Sequence, residues 1–376
     1  MSTLEELTAL SRNPVNPAVN EWKAEGKKVV GFLCTYMPEE ILYAADILPV
    51  RLRAPDCRET PLADVHMSHL TCTFMRSCLQ FFLEDKFTFL DGLVFTNSCD
   101  VVRRLYDNLR EIRPSDFQFL HFITVPHKVS EDLVIWYKDE LNEFAGSIEK
   151  AFRVEVTEAR LREAIGVYNE TRGLLRELYE LRKSESPPIS GAETLSVVLA
   201  GSPLPKDRYN QMLRKLLDEL RQREGISNYR ARLMIAGSGG CDNPDYLGVM
   251  EELGGLVVTD SLCFGSRYFW EPVDTEGDLM LNLARSYLKR PSCPRMVENV
   301  GERGDFVKQM VRDFKVDGVV FQRIRYCDLW GGQLLYTKKD LKESGIPLLS
   351  LEREYMMRDV GQLRTRVQAF LEKIER

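Results

Sequence analysis

Short apolar runs alternate with helix-like stretches along the first third of the chain. Four of the runs have the length and the branched or aromatic side chains typical of buried strands. They are Val29–Leu33, Ile47–Val50, Gly92–Thr96 and FQFLHFITV. One helix is predicted from the amino terminus to about Lys28, and another between Thr71 and Glu84. Strands that alternate with helices predict a parallel sheet with helices on both faces.

The pattern changes in the middle of the chain, where apolar positions recur at the spacing of a helix. Strand-like runs then return as LMIAG, GGLVVTD, DGVVFQ and IPLLSLERE. The sequence therefore predicts an α/β fold with two doubly wound, Rossmann- or flavodoxin-like parallel-sheet lobes and a helical insert between them. The expected units are an N-terminal lobe (residues 1–130), the insert (131–228) and a C-terminal lobe with a closing helix (229–376).

Composition excludes several classes of function. The chain has 376 residues, of which 44% are hydrophobic and 29% charged, as in a globular protein. A net charge of −6 argues against a general nucleic-acid binder, which must neutralise phosphates. No apolar run approaches the roughly 20 residues that cross a bilayer, and the acidic start MSTLEELTALSRN does not resemble a signal peptide. We expect a cytoplasmic protein with neither nucleic acid nor membrane as a partner, whose nine cysteines are thiols.

Three of these cysteines stand where a predicted strand ends and a helix begins. Cys34 follows VVGFL, Cys99 follows GLVFTNS and Cys327 follows GVVFQRIRY, while Cys241 in GSGGCDNP is a fourth of the same kind. Ligands of open α/β sheets bind outside the carboxyl ends of the strands. Helix amino termini there favour thiolates and anionic groups. The placement suggests a metal site assembled from both lobes.

A second interpretation is that these cysteines are small buried hydrophobes, and the residues alone leave both open. Cys34 and Cys99 are 65 residues apart and Cys327 follows 228 residues later, which rules out the CxxC pairs of zinc ribbons and compact ferredoxin motifs. The other cysteines rank lower. Cys72 and Cys78 are expected to pack on one helix, Cys57 and Cys293 lie in loops without a ligand-like context, and Cys263 is the best of the remainder.

At these positions the chain resembles the 2-hydroxyacyl-CoA dehydratase and benzoyl-CoA reductase family, in its shorter-subunit type. The resemblance rests on motifs in this order: GFLCTYMPEEILYAADILPV, DGLVFTNSCDVVRRL, VVTDSLCFGSRYF, SCPRM, VDGVVFQRIRYCDLWGG and IPLLSLEREYMMRDVGQLRTRVQAFLEKI. It implies two related subunits, each with a 4Fe–4S cluster between two lobes. Cys34, Cys99 and Cys327 match the three cluster-binding cysteines, which leaves Cys241 as a neighbouring thiol or, as an alternative, an additional ligand.

The function implied by the resemblance is that of an iron–sulfur subunit of a radical 2-hydroxyacyl-CoA dehydratase. An ATP-dependent iron–sulfur activator protein would supply one electron, which passes to the acyl-CoA thioester so that water is eliminated. A benzoyl-CoA reductase subunit, a double-cubane cluster reductase and a non-catalytic electron-relay subunit remain alternatives.

Two softer expectations concern charged residues near the strand ends. Arg267 in CFGSRYF could contact a CoA phosphate, although a solvated or salt-bridged arginine fits equally well. Glu39 and Glu40, which follow Pro38, are interpreted as first-turn acids that stabilise the start of a helix rather than as proton donors.

Overall fold

The computed structural model of the chain describes residues 1–13, 16–113, 117–357 and 360–375. In these residues two four-stranded sheets are present, and every strand pair in both is parallel. The strands are β1 Lys28–Phe32, β2 Ile47–Arg51, β3 Gly92–Thr96, β4 Phe119–Ile123, β5 Ala231–Gly237, β6 Gly255–Ser261, β7 Gly318–Ile324 and β8 Leu348–Arg353. The predicted α/β fold with two parallel-sheet lobes is confirmed.

Helices cover the faces of both sheets and fill the stretch between them. In chain order they are α1 Thr3–Arg12, α2 Pro17–Ala24, α3 Glu39–Ala44, α4 Thr73–Leu83, α5 Asp100–Ile112, α6 Glu131–Phe152, α7 Glu158–Leu181, α8 Gly191–Ala200, α9 Lys206–Gln222, α10 Pro244–Glu252, α11 Ser266–Phe269, α12 Leu279–Lys289, α13 Val300–Asp313, α14 Asp328–Glu343 and α15 Val360–Ile374. Among the described helices, none combines the length and the apolar character needed to span a bilayer.

The two sheets have the same strand order, β2-β1-β3-β4 in one and β6-β5-β7-β8 in the other. In each sheet the first strand in the chain pairs with the second strand on one side and with the third strand on the other. The crevice between β1 and β3, like that between β5 and β7, is therefore a topological switch point, where ligands of such sheets bind. This arrangement determines which loops can meet in a common site.

The amino-terminal region forms two helices, so the prediction of a single helix to about Lys28 was wrong. The Asn16 side chain accepts hydrogen bonds from the N–H groups of Ala18 and Val19 at 2.9 and 3.2 Å. Pro17 occupies the first position of α2, where its missing N–H is not needed. A cap followed by proline starts a new helix and overrides the apolar pattern of the segment.

Gly237 ends β5 in a conformation that only glycine adopts easily. Its φ is +124°, and a Cβ atom built at this position would lie 1.9 Å from the backbone oxygen of Gln322 in β7. The loop that follows carries Cys241 back across the end of the sheet. The close approach of β5 and β7 therefore explains why Gly237, the first residue of the motif GSGGCDNP, is a glycine, and no bound ligand is needed to account for it.

Hydrophobic clusters join the helices of the middle region to both sheets. Phe144 of α6 and Ile165 of α7 pack with Val30 and Val94 of the first sheet. Leu213 of α9 packs in a different cluster, which includes residues of the second sheet. Leu7 and Leu10 of α1 also belong to that second cluster, so the amino-terminal helix packs with the far lobe. The three expected units are thus tied together, and their boundaries remain a prediction.

Glu40, at the start of α3, forms a buried ion pair with Arg172 of α7. The Arg172 Nη2 atom donates to Glu40 Oε1 at 2.5 Å, and the Tyr287 hydroxyl donates to Oε2 at 2.7 Å. Burial alone would raise the pKa of Glu40, but the charge of Arg172 and these hydrogen bonds hold it below its ordinary value. The pair therefore stabilises the fold above the ordinary glutamate pKa, and this contribution is lost as the pH falls through the lowered pKa. Because α3 begins here, the structure agrees with first-turn acids in a structural role.

Replacing Arg172 by Ala should lower the free energy of unfolding by about 3–5 kcal/mol, because it leaves the Glu40 carboxylate buried without its partner. Denaturant-induced unfolding under anaerobic conditions measures the change. The matched control is Arg176→Ala, four residues further along α7 on its exposed side, which should change stability by less than about 0.5 kcal/mol. Equal losses in the two variants would contradict a stabilising role of the pair.

Candidate functional site

The three cysteines predicted from strand ends lie beside the two switch points. Cys34 follows β1, Cys99 follows β3 and Cys327 follows β7. Cys99 and Cys327 are the N-cap residues of α5 and α14, as expected from the Asp that follows each of them. Tyr326 has a φ of 64° and turns the chain from β7 into α14. A bulky residue in this left-handed conformation is strained, which is a feature often found at functional sites.

Six half-buried cysteines form one group, which we call the thiol cluster. None of the nine cysteines, all within the described part of the chain, is in a disulfide. The members of the thiol cluster are Cys34, Cys72, Cys99, Cys263, Cys293 and Cys327. They share intermediate exposure and are linked by electrostatic interactions between neighbouring thiols, whereas Cys57, Cys78 and Cys241 are buried.

Cys99 and Cys327, which come from different lobes, lie close enough to influence each other. Burial raises the pKa of Cys99 to about 12, and Cys72 and Cys293 add to the rise. Burial also raises the pKa of Cys327 well above its ordinary value, with further contributions from Cys72, Cys99 and Cys293. The fold therefore brings these two thiols, one from each lobe, near each other at the interlobe gap.

Cys293 connects the members of the thiol cluster, although sequence reasoning gave it no ligand-like context. Its own pKa is raised by burial and by Cys34 and Cys263, while the charge of Arg267 opposes the rise. The same thiol acts on Cys99 and Cys327. Its backbone N–H donates to the Tyr36 hydroxyl at 3.3 Å, which fixes the loop. The signal that could have found it is SCPRM, one of the motifs that carried the family resemblance.

Cys72 also belongs to the thiol cluster, and it packs against the hydrophobic core cluster that contains Cys78, as expected for a packing residue. Cys72 is the N-cap of α4 and lies just outside it, whereas Cys78 is inside the helix and fully buried. The prediction placed the start of this helix at Thr71, two residues too early. That small displacement separates a core thiol from one that faces the other cysteines.

Helix starts partly offset the cost of ionising these thiols. The thiols at the three N-caps make no side-chain cap hydrogen bond of normal geometry. First-turn N–H groups nevertheless lower the thiol pKa, from Val102 at Cys99 and from Trp330 at Cys327. The positive ends of the helix dipoles act in the same direction. Three converging helix starts therefore favour negative charge in the gap.

A single metal ion does not fit the thiol cluster. Within residues 1–13, 16–113, 117–357 and 360–375, no three His, Cys, Asp or Glu side chains are placed to hold one ion. A zinc ion needs all its sulfur ligands about 2.3 Å from one point. An iron–sulfur cluster binds its thiolates through different irons, so the sulfurs stand farther apart. Thiolates are soft ligands, so the residue types of the thiol cluster suit zinc or iron–sulfur chemistry.

Five buried arginines surround the thiol cluster. Arg51, Arg267, Arg290, Arg295 and Arg303 are each less than 9% exposed, and none forms an ion pair with another described residue. A buried charge without a counter-charge is costly. Arg182 and Arg232 are likewise buried and bonded to carbonyl groups elsewhere in the described structure. It is therefore the grouping of five cations beside thiols that favours an anionic group in the gap.

These arginines are held by backbone carbonyl groups of the cysteine loops. Arg290 Nη1 donates to Thr35 O at 2.7 Å, next to Cys34. Arg303 Nη1 donates to Met296 O at 2.7 Å and to Cys293 O at 3.3 Å. Such bonds fix the cations in place but leave their charge uncompensated.

Two more of the arginines connect the lobes directly. Arg51, at the end of β2, donates to Leu33 O and to Cys263 Sγ, each at 3.1 Å. Arg295 donates to Val125 O at 2.8 Å, in the loop after β4. The positive charges are therefore part of the interlobe contact, and they are positioned when the two lobes come together.

Arg267 lies inside the protein rather than at a surface where a phosphate could dock. It is 5% exposed, its Nη1 atom donates to Ser292 O at 3.0 Å, and its guanidinium lies 5.0 Å from the Trp330 ring centre. Arg267 is therefore not solvated, and it forms no ion pair with another described residue. Its positive charge instead lowers the pKa of Cys293. A contact with CoA stays a prediction for this residue.

Cys241 is separated from the thiol cluster by its burial. Its side chain is 1% exposed, and burial raises its pKa to about 12 while the neighbouring Arg353 opposes the rise. Arg353 Nη2 donates to Gly240 O at 2.7 Å, which holds the loop closed. This position suits the neighbouring thiol that the sequence suggested, and its ligation remains untested.

In folded, iron-free protein, alkylation of Cys99 and Cys327 at pH 8 should be at least about tenfold slower than in the denatured chain. The reason is that the thiolate is the reactive form and both pKa values are raised in the folded state. Mass-spectrometric mapping of the labelled cysteines gives the rates, with fully buried Cys78 as the internal control for intact folding. Equal rates in the folded and denatured states would show that these thiols are not perturbed.

Comparison with known proteins adds an independent line of evidence. Residues 34–374 match the family model described as 2-hydroxyglutaryl-CoA dehydratase, D-component. A benzoyl-CoA reductase subunit of Thauera aromatica is 28% identical over 83% of this chain and 82% of its own length. The (R)-phenyllactyl-CoA dehydratase beta subunit of Clostridium sporogenes is 25% identical over 96% of both chains. The beta subunit of (R)-2-hydroxyglutaryl-CoA dehydratase from Acidaminococcus fermentans is 25% identical over 99% and 98%.

These relatives are named as subunits of enzymes, in agreement with the expected class of protein, and the resemblance seen in the sequence is confirmed. The match begins at Cys34 and extends to the last helix, so it includes both lobes and the helices between them. The chain belongs to the 2-hydroxyglutaryl-CoA dehydratase D-component family.

Proposed function

We propose that this protein is the iron–sulfur subunit of a radical 2-hydroxyacyl-CoA dehydratase. The observation that carries the proposal is the group of five buried arginines, unpaired within the described structure, around the thiol cluster. Family membership gives the chemical context, because the relatives named above are dehydratase and reductase subunits that act on CoA thioesters.

Cys34, Cys99 and Cys327 are the proposed ligands of a 4Fe–4S cluster, with the fourth iron left to a non-cysteine ligand. They come from the ends of β1, β3 and β7, so both lobes contribute. When bound, the cluster supplies one-electron transfer and a Lewis-acidic iron. Cys72, Cys263 and Cys293 lie around these ligands, where their thiol groups can tune the electrostatic environment.

The surrounding residues then have defined tasks. The buried arginines stabilise the negative charge of the cluster and its thiolates, and the starts of α5 and α14 contribute in the same sense. Arg51 and Arg295 keep the lobes in contact, which excludes water from the gap. A dry site strengthens these electrostatic interactions and protects a reactive radical from side reactions.

Elimination of water from a 2-hydroxyacyl-CoA leaves the overall oxidation level unchanged. One electron added to the thioester must therefore return to the site when the product forms. An ATP-dependent iron–sulfur activator protein is the proposed donor of that electron, and a related second subunit is the proposed structural partner, since two of the relatives are named as beta subunits.

A subunit of benzoyl-CoA reductase is the second candidate, supported by the 28% identity to the Thauera aromatica protein of that name. Reduction of an aromatic ring consumes electrons in every turnover, whereas dehydration recycles its electron. A double-cubane cluster reductase and an electron-relay subunit without a substrate site are the remaining alternatives.

Replacing Cys34, Cys99 or Cys327 by Ala should remove most of the iron and acid-labile sulfide, and with them the broad brown absorbance of anaerobically purified protein. Loss of one thiolate leaves a cluster iron without its protein ligand. Cys72→Ala and Cys293→Ala are the matched variants from the same gap and should keep most of the iron. Full iron content in all three of the first variants would defeat the ligand assignment.

The complex reconstituted with its related subunit and activator should dehydrate a 2-hydroxyacyl-CoA with far less than one equivalent of reductant per product. With benzoyl-CoA as the substrate, we expect no reduction of the ring that consumes reductant in proportion to the product formed. Product and oxidised reductant are measured together under anaerobic conditions. Stoichiometric reductant consumption with benzoyl-CoA would instead assign the chain to the reductase branch, and inactivity of the loaded complex with both substrates would contradict both assignments.

A further inference from the structure

The loop that follows Cys34 is held in place by side chains from distant parts of the fold. The Thr35 carbonyl accepts a hydrogen bond from Arg290 Nη1 at 2.7 Å, and Arg290 directly follows α12. The Tyr36 carbonyl accepts a hydrogen bond from the Tyr137 hydroxyl, which belongs to α6. Two consecutive carbonyl groups are thus bound to different helices, so the residues just after Cys34 have a fixed position.

Tyr36 directs its side chain into the surroundings of the thiol cluster. The residue is 2% exposed, and the Arg295 guanidinium lies 4.9 Å from the centre of its ring. Its hydroxyl oxygen accepts a hydrogen bond from the Cys293 N–H at 3.3 Å. The hydroxyl also interacts electrostatically with the thiols of Cys293 and Cys34, and with the Arg303 guanidinium. It therefore lies among members of the thiol cluster and the arginines around them.

The hydroxyl proton of Tyr36 has no acceptor. Its oxygen accepts the bond from Cys293, but within the part of the chain that the structure describes the O–H group donates to nothing. A tyrosine hydroxyl is a donor as well as an acceptor and keeps its proton at neutral pH. A buried donor that lacks an acceptor is unfavourable. A neutral thiol accepts only weakly, whereas a thiolate or an inorganic sulfide is anionic and accepts strongly.

We propose that the Tyr36 hydroxyl donates a hydrogen bond to the sulfur atoms of the cluster held by Cys34 and thereby raises the reduction potential of that cluster. The inference rests on the proposed function, because the cluster supplies the anionic acceptor. Reduction adds negative charge to the sulfur atoms, so a donor stabilises the reduced form more than the oxidised form. The positive charge of Arg295 beside the ring acts in the same direction.

Tyr36→Phe removes the hydroxyl and keeps the ring beside Arg295. In this variant the equilibrium should shift about tenfold toward the oxidised cluster, which lowers the potential of a one-electron couple by about 59 mV. Potentiometry of the iron-loaded full-length protein under anaerobic conditions, followed by EPR, measures the change. The matched control is Tyr209→Phe in α9, because the Tyr209 hydroxyl is also buried and donates to Val197 O at 2.8 Å. Its potential should equal that of the unaltered protein.

A second substitution separates the hydrogen bond from a displacement of the loop, since Tyr36→Phe also removes the acceptor of the Cys293 N–H. Incorporation of fluorotyrosine at position 36 keeps the oxygen and makes the hydroxyl a stronger donor, so the potential should rise. Shifts in opposite directions support the hydrogen bond. Shifts in the same direction indicate a displaced loop and overturn the proposal, as does an unchanged potential in the fluorotyrosine protein.

Pulsed EPR of the reduced protein supplies an independent observation. The hydroxyl proton of Tyr36 exchanges with solvent, so its coupling to the cluster should disappear in D₂O. The same coupling should be absent from Tyr36→Phe and present in Tyr209→Phe. The Cys293 N–H also exchanges, but it remains in both variants and cannot account for a difference between them. An identical set of exchangeable protons in the two variants contradicts the proposal.

Iron content separates a failure of this inference from a failure of the proposed function. An unaltered protein that takes up no cluster refutes the proposed function, and the role of Tyr36 with it. Iron-loaded Tyr36→Phe protein with an unchanged potential refutes only the role of Tyr36. If Tyr36→Phe cannot be loaded with iron, the fluorotyrosine protein decides by the direction of its shift.

Discussion

Buried guanidinium groups around the interlobe gap impose an electrostatic constraint on which the proposed site depends. Arg267, Arg290, Arg295 and Arg303 are removed from water and contact carbonyl oxygens rather than carboxylates. Carbonyl groups orient a cation but do not neutralise it, so the folded chain needs negative charge in the gap. The neighbouring thiols can supply that charge only as thiolates. Because burial raises the pKa values of Cys99 and Cys327, the iron–sulfur cluster of the proposed function would have to bind together with ionisation of these thiols.

The same arginines also form hydrogen bonds between the two lobes, so the residues that hold the lobes together are the ones that place positive charge in the gap. Arg51 reaches from the end of β2 to Cys263 in the other lobe, and Arg290 reaches back from α12 to Thr35. Any motion that opened the gap would break these hydrogen bonds and expose the charges to water. Lobe contact therefore preserves the low-dielectric surroundings in which an anionic cluster is strongly stabilised by fixed positive charge.

Beside the gap, the hydrogen-bonded group of Arg53, Asp242 and Tyr355 forms a second contact between the lobes. The first of these residues follows β2 and the others follow strands of the second sheet, so the group exists only when the lobes are packed. It is linked to the region of Cys72 by the hydrogen bond from the Tyr355 N–H to Thr73 Oγ1.

The sequence by itself determined the alternation of strands and helices, the parallel sheets and the places where cysteines follow strands, because these depend on local apolar periodicity and capping signals. It did not reveal Cys293 or the role of Cys72, since neither follows a strand, and a one- or two-residue shift in the start of α4 decides where Cys72 lies. The ring of buried arginines was equally invisible, because arginine is usually exposed and only packing removes it from water. Which thiols and charges share one gap is a matter of long-range contact, and tertiary structure alone decides it.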